Sequence, residues 1–349
     1  MTSSQTTPSQ ADLAETVTIH DIKRADAAIR PAVLETPLLT SDRLNAVLPF
    51  DLYLKAESLQ RTGSFKFRGA CNAVFGLEDP DQAVIAFSSG NHAQAVALAA
   101  KLAARHATII MPKDAPAAKI EATKSYGAEV VLYDRYTESR EKIGAHYAKQ
   151  TGANLIKPYD DVRVIAGQGT AGCEIVRQSA ALSLTPDTFI SCCGGGGLIA
   201  GTAIALSDSF PDITLYSAEP DKFDDTARSL AAGKRLSNEP DARSLCDAIV
   251  TPMPGEITFP INQKLLAGGL SVSDEDALRA MHVAATYLKV VIEPGGAVAL
   301  AAALADEFVA KQAHAERRQT IIVIGSGGNC DEAMMARALT TPLPDYLSS

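Results

Sequence analysis

The apolar positions of the chain change period along its length, and those changes mark out its elements. Over 18–29, Ile19, Ile22, Ala25 and Ile29 recur at helical spacing, with Thr18 and Asp21 placed as a capping pair. Leu38 and Leu39 read as extended, Ser41 caps a short helix to Val47, and 51–55 alternates like a strand. A helix follows Ser64 and runs to about Leu77. Short apolar runs then alternate with longer helical patterns: strands over 83–87, 107–111 and 129–133, with helices to about Arg105, over 117–126 and over 137–150. After Asn154-Leu155-Ile156 the alternation resumes with a helix over 165–179, a strand over 188–193, a helix to about Leu206 and a strand over 213–218. Residues 233–255 are rich in turn formers and are expected to cross between two lobes. Helical patterns over 274–288 and 297–305 and a strand over 320–324 complete the chain. Short strands alternating with longer helices predict an α/β fold, a parallel sheet with helices on both faces.

Composition narrows what such a fold can serve. The chain has 349 residues, enough for two lobes, and its 46% apolar and 21% charged content is that of an ordinary globular protein. Lysine and arginine number 32 against 41 acids, a net charge of −9 that disfavours nucleic acid or an anionic membrane as partner. The longest apolar runs, 95–104 and 297–305, fall far short of the roughly 20 residues a membrane span needs. Residues 1–10 are polar, without the basic and apolar regions of a signal peptide, and read as a disordered tail. Six cysteines without Cys-x-x-Cys spacing read as buried thiols of a cytoplasmic protein, with Cys192 and Cys193 filling the two faces of a buried strand.

Candidate chemistry gathers where strands end, since open parallel sheets bind ligands beyond the carboxyl ends of their strands. Three strands end in small-residue loops: Ser88-Ser89-Gly90-Asn91-His92, then Gly194, Gly195, Gly196 and Gly197, and then 325–329. Glycines let backbone N–H groups close around an oxyanion at a helix N-terminus, so the tetraglycine is a phosphate candidate. Two cofactors suit it. Gly195, Gly197 and Ala200 satisfy G-x-G-x-x-A, with Glu219 ending the next strand where a ribose acceptor belongs, which points to a dinucleotide. Alternatively, Lys66 lies between Phe65 and Phe67, and a desolvated lysine can form a Schiff base with a carbonyl cofactor. The plain alternative for this stretch is a helix start with both rings packed and Lys66 and Arg68 in water. Pyridoxal phosphate accounts for the phosphate cradle, the lysine and a small polar contact together.

Ser64-Phe65-Lys66-x-Arg68-Gly69, Ser88-Ser89-Gly90-Asn91-His92, the tetraglycine with Leu198, Glu293-Pro294 and Ser326-Gly327-Gly328-Asn329 occur in the order found in fold-type II pyridoxal-phosphate enzymes. The chain resembles their threonine/serine dehydratase and serine racemase branch over about 18–339. The resemblance implies a two-lobed fold like that of the tryptophan synthase β subunit. Residues 1–82 and 161–349 would form a large cofactor-binding domain and 83–160 a small one. It makes Lys66 the cofactor-bearing lysine and the base for the Cα proton, and places Phe65 beside the ring. The tetraglycine and Leu198 would hold the phosphate, Asn91 the ring's phenolic oxygen and Ser326 the pyridine nitrogen, with Glu293 near the ring edge. A hydroxyl at the pyridine nitrogen suits β-elimination better than transamination.

The same resemblance assigns the substrate to Ser88, Ser89, Gly90, Asn91, His92 and Arg140, with Ser89 the proton donor to the opposite face of Cα in racemising members. Glu219, Asp225 and the Phe223 carbonyl offer oxygen ligands for Mg²⁺, Ca²⁺ or Mn²⁺ in the pattern of the metal-activated members. The expected function is dehydration of a β-hydroxy amino acid (L-threonine, L-serine or 3-hydroxyaspartate) to a 2-oxo or imino acid and ammonia, by a homodimer. An amino-acid racemase is the alternative, a nicotinamide-dependent oxidoreductase a more distant one, and a non-catalytic binding module the last. No regulatory domain is expected after the catalytic part.

Overall fold

The computed structural model describes residues 13–88, 90–115, 117–134 and 136–347, without the side chains of Ala118, Arg140 and Glu141. Residues 1–12, which include the 1–10 stretch read from sequence as a tail, lie outside the described residues, as does Ser89.

Two sheets organise the chain. The first has six strands in the order β1-β2-β10-β7-β8-β9. They are β1 (Leu38–Leu39), β2 (Asp51–Lys55), β7 (Thr188–Cys192), β8 (Thr214–Pro220), β9 (Gly268–Val272) and β10 (Thr320–Ile324). All neighbours run parallel except β1, which pairs antiparallel with β2. The second sheet is wholly parallel, ordered β5-β4-β3-β6 from β3 (Val84–Phe87), β4 (Ala107–Pro112), β5 (Glu129–Tyr133) and β6 (Asn154–Leu155). Ile321, Ile322, Val323 and Ile324 are all fully buried, as a central strand covered by helices on both faces requires.

Each sheet has its own apolar core, and the lysine stretch stands where the two meet. Phe65 packs into the core of the six-stranded sheet, with Leu54, Leu198 and Ile324. Phe67 packs into that of the four-stranded sheet, with Val84, Val96 and Ile109. The two rings that flank Lys66 therefore serve different cores. The helix that opens here, Lys66–Phe75, is held from behind by a buried ionic cluster.

Arg68 is fully buried, contrary to the sequence alternative that put it in water. Its guanidinium bonds Glu57 at 2.7 and 2.8 Å and both oxygens of Glu174 at 2.7 Å. Lys55 joins the same Glu174 at 2.6 Å and the Thr36 carbonyl at 2.6 Å. Burial would raise the Glu57 carboxyl, but Arg68 beside it holds it below its usual value. Two cations and two carboxylates, mutually hydrogen-bonded, make burial tolerable for all four.

Elsewhere the sequence expectations need three changes. Residues 233–255 do not carry the chain between sheets, since the helices that flank them, Asp225–Ala232 and Thr258–Leu265, both belong to the six-stranded side. Only Lys119, at 3.2 Å from Asp247, reaches them from the other side among the described ion pairs. The helix expected over 274–288 is α-helical over Asp274–Val283 and widens to a π turn over Ala284–Leu288, stopping at Lys289 in the left-handed region (φ 59°). Helices Thr258–Leu265 and Glu332–Thr340 and strand β9 carried no readable signal: β9 starts with two glycines and the first helix contains Pro260.

Candidate active site

Lys66 sits in the first turn of its helix, half-buried, with its amine donating to the Pro158 carbonyl at 2.9 Å and lying 5.0 Å from the Phe65 ring centre. Burial lowers the amine to about 8. The turn that delivers it is constrained by the loop after β10. Phe65 N–H donates to the Ser326 carbonyl at 3.0 Å, Gly328 N–H donates to the Gly63 carbonyl at 2.9 Å, and Ser64 bridges Gly327. Lys66 and Ser326 are thus placed by one another's loops.

The tetraglycine follows β7 and opens the helix Gly197–Ser209. Gly196 has φ 89°, a conformation that favours glycine, and a Cβ there would fall 2.7 Å from Asn262 Nδ2. A Cβ on Gly195 would fall 2.2 Å from the Tyr159 ring. The Gly195 carbonyl accepts from Thr258 Oγ1 at 2.6 Å and the Gly196 carbonyl from Asn262 Nδ2 at 3.4 Å. With those carbonyls tied to the 258–262 helix, the cleared helix N-terminus presents N–H groups, the arrangement that holds a phosphate.

Two residues join this cradle to the lysine. Pro158 accepts the Lys66 amine, and the next residue, Tyr159, packs over Gly195 and Gly197. Cys192, at the end of β7, lies beside Lys66, and its thiol hydrogen-bonds Ser326. Burial raises that thiol to about 11. Both cysteines of the pair are buried, but β7 ends at Cys192, so they straddle a strand end: Cys192 faces the lysine and Cys193 bonds Thr226 Oγ1 at 3.3 Å.

Asn91 opens the helix Asn91–Leu102, and its Nδ2 donates to Glu293 Oε1 at 2.5 Å. Glu293 is buried just before the helix Pro294–Leu304, and burial raises its carboxyl to about 7. Ser88 Oγ accepts from Gly90 N–H at 3.2 Å, and a Cβ on Gly90 would meet open space. His92 is different. Its ring bonds the Ile156 carbonyl at 2.9 Å, and burial together with the charge of Lys66 lowers it to about 3, so this imidazole is neutral. Ser89 lies outside the described residues. Arg140 begins the helix Arg140–Thr151, but its side chain also lies outside them.

The proposed metal ligands fall at the end of β8. Glu219 is fully buried and accepts N–H from Thr226 at 3.1 Å and Ala227 at 2.9 Å, at the start of the helix that Asp225 opens. Asp225 accepts from Asn238 Nδ2 at 2.5 Å, while its Oδ2 is buried without a partner. Burial, with Asp225 nearby, raises Glu219 to about 8, and burial raises Asp225 to about 6. Among the described residues no three His, Cys, Asp or Glu side chains cluster as metal ligands. Two carboxylates and a carbonyl is the most this turn provides. Glu219, bonded to helix amides inside the protein, is in no position to meet a ribose.

A lowered amine, a glycine loop at a helix N-terminus, a hydroxyl and an amide therefore converge, a donor set that suits a phosphorylated carbonyl cofactor. Tyr159 and Thr258 were not singled out from sequence, and Cys192 and Asn329 were named there only as a buried thiol and as the end of a loop motif, since the role of each depends on a contact between distant segments. Comparison with known proteins agrees with the geometry. The family model described as pyridoxal-phosphate dependent enzyme matches residues 29–327. The chain is 42% identical over 319 residues to an L-threo-3-hydroxyaspartate ammonia-lyase of Saccharomyces cerevisiae, covering 90% of this chain and 94% of that one. A serine racemase of Oryza sativa subsp. indica is 39% identical, covering 92% and 93%. The crystal structure of a T.th. threonine deaminase superposes with a TM-score of 0.83 at 42% identity, covering 90% and 99%. The chain belongs to the pyridoxal-phosphate-dependent enzymes, with the fold of their fold-type II members.

Proposed function

We propose that this enzyme is an ammonia-lyase that removes water from a β-hydroxy amino acid, of which 3-hydroxyaspartate, L-serine and L-threonine are the candidates. The product is a 2-oxo or imino acid with ammonia. The observation that carries this reading is the Lys66 amine, lowered to about 8 and held between the glycine cradle and Ser326's loop. Relatives at 42% identity include two named as L-threo-3-hydroxyaspartate ammonia-lyases, which favours that substrate.

When bound, pyridoxal phosphate supplies the aldehyde that captures the substrate amine and the conjugated ring that accepts charge from Cα. The protein does the rest. Lys66, once free of the cofactor, takes the Cα proton, and a lowered pKa leaves more of it as the neutral base near pH 8. The N–H groups at 194–198 would hold the phosphate, and Phe65 would flank the ring. Ser326 would donate its hydroxyl to the pyridine nitrogen and Asn91 would hold the phenolic oxygen, with Glu293 accepting from the Asn91 amide. A hydroxyl in place of a carboxylate weakens the electron sink and favours loss of the β-hydroxyl. Amides of 88–92, at a helix N-terminus, bind the substrate carboxylate, and Arg140 is the candidate partner for its side chain. We divide the chain into a large domain of residues 1–82 with 161–349 and a small one of residues 83–160, a reading that the two separate sheets support.

Glu219, Asp225 and the Phe223 carbonyl would hold a divalent cation, Mg²⁺ by preference, with water completing the shell. An unpartnered buried oxygen on Asp225 and two carboxylates shifted upward support that reading. We place the enzyme in the cytoplasm, in keeping with its six free thiols, and expect it to be a homodimer. A racemase is the second reading, supported by the serine racemases at 39% identity. An assay of ammonia release across the three β-hydroxy amino acids, with Mg²⁺ or chelator, tests the proposal. Release from at least one, lost in Lys66→Ala together with the cofactor's visible absorbance, is expected. Inversion of the substrate without ammonia would replace it with the racemase reading.

A further inference from the structure

Asn329 lies in the loop after β10, and its Nδ2 donates twice: to the Thr62 carbonyl at 2.8 Å and to Asn91 Oδ1 at 2.7 Å. The order of atoms along this line follows from its ends. A carbonyl can only accept, so the Asn329 nitrogen faces Thr62. The same nitrogen meets Asn91, which must therefore present its oxygen. Asn91 then turns its nitrogen the other way, to Glu293 at 2.5 Å, and keeps one N–H for another acceptor.

The other end of the line is strained. Thr62 has φ 62°, a left-handed conformation uncommon for a β-branched residue, and Gly63 has φ 72°. A Cβ on Gly63 would fall 2.3 Å from Asn329 Oδ1, so Asn329 lies directly against this turn. Lys66 enters its helix from it. Asn91 belongs to the four-stranded side, while Glu293 and Asn329 come from the six-stranded side, so a single side chain ties the loops of both sheets together.

We propose that Asn329 is a positioning residue: it fixes the Asn91 amide in the orientation that donates to Glu293 and leaves one N–H for the cofactor, and it holds the Thr62-Gly63 turn that presents Lys66. This rests on the cofactor reading above through the place given to Asn91.

The test uses the holoenzyme and the cofactor-free protein of Asn329→Ala and Asn329→Asp. Asn329→Ala should keep its cofactor with a shifted visible band, and should lose about 10- to 100-fold in kcat with KM within about threefold. Amide exchange at 63–66 in the cofactor-free protein should quicken by about tenfold. In Asn329→Asp the carboxylate cannot donate, so Asn91 turns over and faces Glu293 with its oxygen. Glu293→Gln supplies a donor there. Added to Asn329→Asp it should therefore raise the melting midpoint of the cofactor-free protein, although alone it lowers it, while kcat stays low because the N–H meant for the cofactor is still turned away. A native band, kcat and exchange rate in Asn329→Ala, with only the melting midpoint lowered, would overturn the proposal, as would effects of Asn329→Asp and Glu293→Gln on the melting midpoint that simply add. If Asn329→Ala does not fold, the Asp–Gln pair decides. A coloured, active Lys66→Ala would sink the cofactor reading instead, whatever Asn329 does.

Discussion

The Pro158 carbonyl accepts the Lys66 amine at 2.9 Å, and the residue after it, Tyr159, lies over Gly195. Two consecutive residues outside any strand or helix thereby set the distance between the lysine and the glycine cradle. Both follow β6, the last strand of the four-stranded sheet, so the site is assembled where the chain returns to the larger sheet.

Lys66 is expected to titrate far below a free lysine. Burial disfavours its charged form, and its amine falls from 10.5 to about 8. Acylation of Lys66 in cofactor-free protein, followed by mass spectrometry, should rise with pH to a half-point near 8. The sign for stability follows: between about 8 and 10.5 the unfolded chain binds the proton the native state has lost, so this group adds to stability as pH rises through that window. A half-point near 10 would place the amine in water.

Gly195→Ala should empty the phosphate cradle without unfolding the protein. Its Cβ would sit 2.2 Å from the Tyr159 ring, and the ring or the loop must move. Overpacking of this kind costs about 1–3 kcal/mol. Equilibrium dialysis against pyridoxal phosphate should show affinity falling by at least tenfold, about 1.4 kcal/mol. Tyr159→Ala in the same chain relieves the clash and should recover part of it. Native affinity in Gly195→Ala would mean that this face of the loop does not hold the phosphate.

Arg68→Met tests the ionic cluster behind the lysine helix. The change leaves buried Glu57 without a cation and Glu174 with Lys55 alone, one uncompensated negative charge in the core. Removing one side of a buried pair destabilises by about 3–5 kcal/mol, which urea denaturation would measure. Glu57→Gln in the Arg68→Met chain removes the stranded charge, leaves Lys55 paired with Glu174 and should recover part of the loss. A loss below about 1 kcal/mol for Arg68→Met alone would show that water reaches the cluster.

Much of the fold was legible because its elements are locally determined. The strands Asp51–Lys55, Glu129–Tyr133 and Thr320–Ile324 fall on the residues expected, since alternation or an unbroken apolar run needs no distant partner. The Thr18–Asp21 capping box forms as read. The helix Asp225–Ala232 was hidden within an acidic turn, because its apolar face becomes visible only against β8 and β9.

The sequence by itself determined which residue types could bear the chemistry: a lysine between aromatics, a run of glycines after a strand, a serine and an asparagine in small-residue loops. Those choices are local, written in backbone freedom and side-chain functional groups. Only the tertiary structure decided which groups are charged and which way they point. Arg68 went into the core because two acids from distant segments meet it there, and His92 became neutral because Ile156 and burial claim its ring. Cys192 came to face Lys66 and Ser326, and Asn91 was oriented by Glu293 and Asn329. Desolvation and hydrogen-bond geometry depend on what surrounds a group, and what surrounds these groups comes from parts of the chain that only folding brings together.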